Sequence, residues 1–97
     1  MTYDLQFLPT ALKEWRKLGA PLRQQFKKKL AERLTLPHVP ADRLHGLDQH
    51  YKIKLRSSGY RLVYSVEDTT VTVTVIAIGK REGGKVYKNA QKRRSSQ

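Results

Sequence analysis

The spacing of apolar residues divides the first third of the chain into a strand and two helices. The stretch "TYDLQFL" alternates, with Tyr3, Leu5 and Phe7 on one face, which predicts a first strand. The stretches "ALKEWRKL" and "PLRQQFKKKLAERL" then place apolar residues at helical spacing, the second of them at Leu22, Phe26, Leu30 and Leu34. With Gly19 as a stop between them, these stretches predict a helical hairpin.

The second half of the chain predicts a three-stranded antiparallel meander. After a Pro-rich loop, "PHVPADRLHGLDQH", the segments "YKIKLR", "YRLVYSV" and "TVTVTVIAIG" alternate and are separated by the turns "SSG" and "EDT". A basic C-terminal segment follows and is expected to be helical from about Lys85, although Gly83 and Gly84 weaken its start. We expect the closing "KRRSSQ" to fray, with residues 95–97 as the tail. The pattern thus predicts one α+β domain over residues 1–97, in which the meander completes a single antiparallel sheet.

The two-residue period of the meander predicts that cations share one face of the sheet. If the turn at Ser57–Ser58 has an even number of loop residues, Arg61 lies on the same face as Lys52 and Lys54, directly opposite Lys54. The same parity adds to this face Thr70, Thr72 and Thr74. The other face then packs on the helices through Tyr51, Ile53, Leu55, Leu62, Tyr64, Val71, Val73 and Val75. At least three cations are therefore expected on one exposed face.

Net charge narrows the classes of partner. Lys and Arg total 20 against 8 Asp and Glu, a formal net charge of +12, which favours nucleic acid first and an acidic protein second. A merely solvated face is the alternative interpretation, but like charges opposed across strands are mildly destabilising. The sequence shows no membrane span, no signal-peptide pattern and no cysteine, so we expect a cytoplasmic protein.

The residue types on this face suit one kind of nucleic-acid chemistry. The carboxylates are scattered along the chain, which argues against a Mg²⁺ site. RNA carries its own nucleophile, the 2′-OH, so a base, cations for the phosphorane charge and a donor for the leaving oxygen are sufficient. Neighbouring positive charge lowers the pKa of a lysine, so a lysine cluster can supply base and clamp, whereas Arg is the better clamp and a reluctant acid.

Other candidates receive weaker support from the pattern. His38, His45 and His50 lie outside the predicted cationic face and are expected to be surface histidines. The two-residue period of the strands assigns Tyr60 and Tyr64 to the core face. The role of Tyr87 stays open at this point. For these residues the pattern alone indicates no chemistry.

Four stretches together resemble the RelE family, the ribosome-dependent mRNA interferases of bacterial toxin–antitoxin pairs. They are "ALKEWRKLG", "KKKL", "YKIKLRSSGYRLVY" and "GKRE...VY", in the same order and at nearly the same spacing as in that family, over the chain to about residue 94. The resemblance implies a compact α+β domain that enters the ribosomal A site and cleaves mRNA codons with the 2′-OH as nucleophile and with no metal or cofactor.

The resemblance also implies roles for individual residues. Lys52 and Lys54 would supply the base and phosphate stabilisation, Arg61 would clamp the phosphate, Arg81 would stabilise or protonate the leaving group, and Tyr87 would stack on a codon base. Parity reaches the first three independently and reaches neither Arg81 nor Tyr87. Further RNA contacts are expected from Arg23, Lys27, Lys28, Arg43, His45 and Arg56. For the helix cations among them, the solvated side of an amphipathic helix is at least as good an interpretation.

The family further implies partners and alternatives. A RelB-like antitoxin, acidic where it meets this face, would neutralise a toxin that is monomeric when free, and the pair would repress its own operon, with DNA contacts made mainly by the antitoxin. Two departures stand out: His45 where a basic residue is more usual, which weakens an rRNA contact, and Gly83 with Gly84, which loosen the segment before Tyr87. The competing hypotheses are a ParE-like poison of DNA gyrase and a non-catalytic basic nucleic-acid-binding module.

Overall fold

The computed structural model describes residues 2–95, with side chains to residue 93, as one mixed sheet between helices. Proline at the first helical position begins α1, where its missing N–H costs nothing. The elements in chain order are β1 (Asp4–Phe7), α1 (Pro9–Lys17), α2 (Ala20–Thr35), β2 (His50–Leu55), β3 (Tyr60–Glu67), β4 (Thr72–Lys80) and α3 (Lys85–Ser95), with short 3₁₀ turns at Pro40–Asp42 and Glu82–Gly84. These agree with the predicted α+β order.

The four strands form one sheet in the order β1-β4-β3-β2. β2, β3 and β4 make the predicted antiparallel meander. β1 lies at the edge beside β4 and pairs with it in parallel, Asp4 opposite Thr72 to Phe7 opposite Val75. The sheet is therefore antiparallel apart from this pair, which follows from the helical hairpin carrying the chain across one face between β1 and the meander.

Two clusters of buried side chains lie on opposite faces of the sheet. The larger one joins α1 and α2 to the sheet and includes Phe26, Leu30, Tyr51, Ile53, Leu55, Leu62, Tyr64, Val73 and Val75. The smaller one joins α3 to the other face and consists of Leu47, Val63, Ile76, Ala77, Val86 and Ala90. The face predicted to be open to solvent is therefore partly covered by α3, which has its own apolar stripe. Val71 departs from the predicted core face because it precedes β4, in a turn with φ 51°.

A one-residue bulge in β4 changes which residues share a face. Val63 pairs with Ala77 while Tyr64 pairs with Val75, so Ile76 is an extra residue in β4. Before the bulge, odd-numbered residues of β4 face the helical hairpin. After it, Ile78 faces the hairpin and Gly79 lies opposite Arg61. After the bulge, the odd-numbered residues Ala77 and Gly79 of β4 therefore lie on the same face of the sheet as Lys52 and Lys54.

Side chains from two helices satisfy backbone groups at this bulge. Glu14 of α1 accepts a hydrogen bond from the Ile78 N–H at 3.0 Å. Arg93 of α3 donates to the Ile76 carbonyl at 2.8 Å and forms a 2.8 Å ion pair with Glu14. Arg93 is therefore held against the sheet, although it falls within the segment predicted to fray. Helix α3 ends at Ser95, and residues 96 and 97 of the predicted tail lie outside the described residues.

Of the three histidines, His50 alone departs from the prediction of a surface location, since His38 and His45 are exposed. His50 is only 6% exposed, and its Nδ1 lies 2.7 Å from the Asp48 carbonyl oxygen. His38 bridges two segments, with Nδ1 at 3.0 Å from the Tyr51 hydroxyl and Nε2 at 2.9 Å from the Asp68 carboxylate. Sequence parity could not find these contacts because both residues lie where irregular backbone meets the sheet. Within residues 2–95, no helix has the length and apolar character needed to cross a membrane.

Asp68 joins three separate parts of the chain. Its carboxylate receives hydrogen bonds from His38 in the loop after α2 and, at 2.8 Å, from the hydroxyl of Tyr3 before β1. These two hydrogen bonds lower the pKa of Asp68 below its ordinary value of 3.8. A carboxyl whose pKa is depressed by folding stabilises the folded state above its unfolded pKa and loses that effect as pH falls through its folded pKa.

We therefore predict that Asp68→Asn lowers the melting temperature at neutral pH, and that its deficit relative to wild type shrinks as pH falls below about 4, the ordinary range for a carboxyl. Thermal melts followed by circular dichroism between pH 7 and pH 2.5 measure this. Asp48→Asn, at an exposed position, is the matched control and should show little deficit at any pH. A deficit for Asp68→Asn that stays constant with pH would contradict the linkage.

Candidate nucleic-acid interface

The register of β2 against β3 confirms that three cations share one face of the sheet. Lys54 lies directly opposite Arg61, and Lys52 lies opposite Val63. Because side chains alternate between faces, Lys52, Lys54 and Arg61 all project on the side of α3, away from the helical hairpin. The structure therefore puts these like charges together as the sequence predicted.

This face is less open than the sequence predicted. Arg61 is only 7% exposed, and its Nη1 donates to the carbonyl of Tyr60 at 2.9 Å. Lys52 and Lys54 are half-buried. Cover from α3 and from the loop at Leu47 explains this burial. A buried guanidinium with one neutral hydrogen-bond partner keeps donor capacity for an anion, because the group has five N–H donors.

The end of β4 brings Arg81 to the same side. Its backbone N–H donates to the Gly59 carbonyl at 2.8 Å, which ties the start of the α3 segment to the β2–β3 turn. Gly79 lies opposite Arg61, and a Cβ atom on Gly79 would lie 3.6 Å from Cβ of Val86. Helix α3 therefore passes over Gly79 with room for a methyl group at ordinary contact distance, and Arg81 follows Gly79 by two residues.

Two adjoining cavities show which predicted residues meet. The first, about 380 Å³, is lined by Leu44, His45, Leu47, Lys52, Arg81, Tyr87, Lys88 and Gln91. The second, about 640 Å³, is lined by Ser58, Gly59, Lys80, Arg81, Glu82, Gly83, Gly84 and Tyr87. Arg81 and Tyr87 line both cavities, so the two together form a basic cleft with an aromatic side chain between them. We call these two cavities together the cationic cleft.

Gly83 and Gly84 have a definite conformational task at the start of α3. Their φ angles are 74° and 65°, in the left-handed region that residues with a side chain adopt only at a cost. They close the 3₁₀ turn that aims the chain from Arg81 into the helix carrying Tyr87. The expectation that these glycines only loosen the segment therefore misses their role in directing it.

Some predicted RNA-binding residues lie away from the cleft. Lys27 and Lys28 are exposed on α2, whose buried side packs on the opposite face of the sheet. Arg23 on the same helix donates to the carbonyl of Leu18. Arg43 and Arg56 are also exposed, the first beside the outer edge of β2 and the second in the β2–β3 turn.

Two residues of the cleft were missed or undervalued from the sequence. His45, which the pattern alone placed outside the cationic face and the family resemblance gave as an RNA contact, lines the cleft with Lys52. Lys88 lines it one residue after Tyr87 and was not singled out. The helical period of the C-terminal segment could have indicated which residues of α3 face the cleft. Gln91 follows Tyr87 by about one turn, so both lie on the same side of the helix, next to Lys88.

The cleft offers positive charge and an aromatic ring but little negative charge. Glu82 is the one carboxylate in its lining among the described residues. Within that same part of the chain, no three His, Asp or Glu side chains come close enough to hold a metal ion. The arrangement can hold a phosphate between cations while a base stacks on a ring.

Comparison with known proteins places this geometry in a family. A family model described as the ParE toxin of the type II toxin–antitoxin system parDE matches residues 5–83. The mRNA interferase toxin RelE of Escherichia coli K12 is 58% identical over 93 residues, which cover 96% of this chain and 98% of that protein. The chain belongs to the RelE/ParE family of type II toxins. A putative RelE-like toxin protein of E. coli is 48% identical over the same share of this chain.

Solved RelE structures have the same fold as this family member. A double arginine-to-alanine mutant of E. coli RelE in the free state superposes with a TM-score of 0.89, at 57% identity, over 96% of this chain and 98% of that one. The toxin in the intact E. coli RelBE toxin–antitoxin complex gives a TM-score of 0.81 at 59% identity, over 82% of this chain and 98% of that one. An archaeal RelE from Pyrococcus horikoshii, 18% identical, shares the fold with a TM-score of 0.65.

The left-handed turn before α3 generates a stability prediction. A Cβ at Gly83 would meet nothing within 4 Å, so backbone strain alone determines the effect of a substitution there. We expect Gly83→Ala to lower the free energy of unfolding by about 1 kcal/mol. Gly83→Asn, which tolerates the left-handed region better, should lower it by about half as much. Urea denaturation of the three proteins measures this, and equal losses for Ala and Asn would contradict it.

Proposed function

We propose that this toxin is an endoribonuclease that cleaves mRNA in the ribosomal A site by attack of the 2′-OH, without a metal. The main support is that Lys52, Arg81 and Tyr87 line one cleft on the face that also carries Lys54 and Arg61. A cationic pocket with an aromatic ring matches the needs of a scissile phosphate and an unstacked base. The name mRNA interferase, which the 58% identical E. coli relative carries, points to the same reaction.

The reaction assigns a separate task to each group. A neutral lysine amine, of Lys52 or Lys54, takes the proton as the 2′-oxygen attacks phosphorus. Arg61 and Arg81 stabilise the added charge on the phosphorane oxygens, since guanidinium groups bind phosphate through paired N–H donors. The bond from phosphorus to the 5′-oxygen then breaks. That oxygen takes up a proton from the Arg81 guanidinium or from a ribosomal group, and the products are a 2′,3′-cyclic phosphate and a 5′-hydroxyl.

Tyr87 supplies geometry in this proposal. Its ring packs partly on the smaller core cluster and lines both cavities. A base stacked on the ring would hold the nucleotide unstacked from its neighbour. In-line attack by a 2′-OH requires such a splayed backbone, so stacking contributes through orientation.

The second set of cations suits a separate contact with the ribosome. Lys27 and Lys28 lie on α2, across the sheet from the cleft. A surface that is basic on two sides can bind rRNA with one while the other receives the message. The ribosome would then both position the mRNA and provide acid–base groups that the cleft lacks.

The proposal includes an antitoxin that covers the cationic cleft. The E. coli relative has been solved in complex with its RelB antitoxin and with a RelB peptide. A RelB-like chain with acidic residues would neutralise this cleft by charge complementarity. Operator binding would occur through the antitoxin in that complex.

Cleavage by wild type and an arginine-deficient variant tests the site. In a toeprinting assay on a translated message, wild type should cut at A-site codons and leave cyclic phosphate ends. Replacing both Arg61 and Arg81 by Ala should slow cutting by about a hundredfold or more, because charge stabilisation in the transition state is lost. Arg16→Ala, at an exposed position on α1, is the control. Cutting by the double variant at the wild-type rate would disprove the assigned site.

A ParE-like action on DNA gyrase is the second candidate, because the matching family model is described as a ParE toxin. A supercoiling assay distinguishes the two functions. Inhibition of gyrase without mRNA cleavage would favour the second candidate, whereas cleavage without inhibition supports the first. Salt-sensitive RNA binding with neither activity would instead indicate a non-catalytic module.

Lys88 provides a test of the cleft that needs no catalysis. If Lys88 contacts a phosphate, Lys88→Gln should reduce the slope of log affinity against log salt by about 0.7, the value for one contact with a single strand. Binding of a non-cleavable 2′-deoxy-substituted oligonucleotide at several salt concentrations measures it. Lys13→Gln on α1, an exposed position, should leave the slope unchanged, and so would Lys88→Gln if the assignment is wrong.

A further inference from the structure

On the outer edge of β2, a loop and a side chain, in place of a further strand, form hydrogen bonds with the backbone. β2 is the last strand of the sheet, and the His50 carbonyl on this edge accepts the Leu44 N–H at 2.9 Å. The Lys52 carbonyl, two residues on and pointing the same way, accepts a hydrogen bond from Nη1 of Arg33 at 3.2 Å. A side chain from α2 therefore holds the backbone of a cleft lysine from the opposite layer of the fold.

Arg33 is itself fixed by several partners. Its Nη2 lies 2.6 Å from the Asp42 carboxylate, with the two side chains 16% and 17% exposed. Its Nη1 also donates to the Tyr64 hydroxyl at 2.9 Å, and that hydroxyl donates to the Pro37 carbonyl at 2.7 Å. Burial disfavours the charged guanidinium, but the hydrogen bonds and charges of Tyr64 and Asp42 prevail and raise the pKa of Arg33. The group remains a cation under all ordinary conditions.

The same ion pair fixes one wall of the cleft. Asp42 is followed by Arg43, which bridges to Tyr51 on the β2 edge. The chain then passes over the edge, and Leu44, His45 and Leu47 line the cleft beside Lys52. Arg33 thus holds both the strand that carries Lys52 and the loop that faces it.

We propose that Arg33 is a positioning residue that sets where Lys52 stands in the cleft, by anchoring the Lys52 carbonyl and, through Asp42, the loop opposite. Its consequence for the reaction rests on the proposed function, but the anchoring itself does not. Arg33 does not itself line the cleft, so it acts through the Lys52 backbone and the loop.

Arg33→Met tests this proposal because it removes every donor and keeps an unbranched side chain. In single-turnover cleavage of ribosome-bound mRNA, we expect the rate at saturating toxin to fall about tenfold, since small displacements of a catalytic group are costly. The half-saturating toxin concentration should stay within twofold of wild type. Arg16→Met, exposed on α1, makes the same chemical change and should alter neither value. Rates are compared well below each melting temperature.

Arg33→Lys separates the bridge from simple charge pairing and remains informative if Arg33→Met does not fold. Lysine keeps a cation for Asp42 but cannot hold Asp42 and the Lys52 carbonyl together in a fork. We expect most of the stability to return while the rate stays depressed. Full recovery of the rate, or a loss in Arg33→Met that is confined to ribosome affinity, would overturn the proposal.

An NMR measurement separates this inference from the proposed function. The amide of Ile53 belongs to the peptide group whose carbonyl is that of Lys52, so its resonance reports on the Arg33 hydrogen bond. It should shift in both Arg33 variants and not in Arg16→Met. If wild type cuts no mRNA, the proposed function fails while this shift still supports the anchoring. If wild type cuts and the resonance does not move, the anchoring fails alone.

Discussion

The alternation of side chains across the sheet, interrupted once at Ile76, determines which cations of the strands share a face with the cleft. Register places Lys54 opposite Arg61 and puts Lys52 on the same face. The extra residue in β4 then reverses the parity of that strand, so that its last residues join the same side. Without the bulge, Gly79 would face the helical hairpin and Arg81 would leave on the wrong side of the sheet. The bulge is held by Glu14 and Arg93, so both helical layers take part in building the cleft.

Electrostatic repulsion within the cleft is tolerated because apolar packing surrounds it. Arg61 is almost fully buried and lies directly opposite Lys54, and Glu82 is the one carboxylate among the described residues that line the adjoining cleft. Such an arrangement opposes folding, and the buried apolar clusters on both faces of the sheet offset it. A folded state that bears unneutralised charge gains most from an anionic ligand.

Much of this fold was predictable because its periods are regular. The stripe of Leu22, Phe26, Leu30 and Leu34 specified α2, and strict alternation specified the meander and the shared face of three cations. The bulge was not predicted: the alternation of Thr and Val in "TVTVTVIAIG" stops at Ile76, but the groups that hold the bulge lie in α1 and α3. The assignment of Arg81 and Tyr87 therefore needed the family resemblance.

Irregular segments account for most of the remaining differences. The sequence of the loop after α2 predicts only a Pro-rich connection. In the structure, this loop places His45 in the lining of the cleft and Asp42 in an ion pair with Arg33. Contacts of this kind join residues with no common period, so a pattern along the chain cannot reveal them. The partial burial of Arg33 could have been predicted, because Arg33 follows Leu30 by three residues and so lies beside the buried face of α2.

The loop that walls the cleft also has a consequence for solubility. An unpaired strand edge is a template on which another chain can add a strand, and native proteins generally block such edges. Here Arg43, Leu44 and the guanidinium of Arg33 occupy the hydrogen-bonding positions along the outer edge of β2. Opening the loop at Arg43 and Leu44 would therefore expose a strand edge that can pair with another chain, and it would deform the cationic cleft at the same time. A substitution that opens this loop should therefore promote aggregation as well as disturb the cleft.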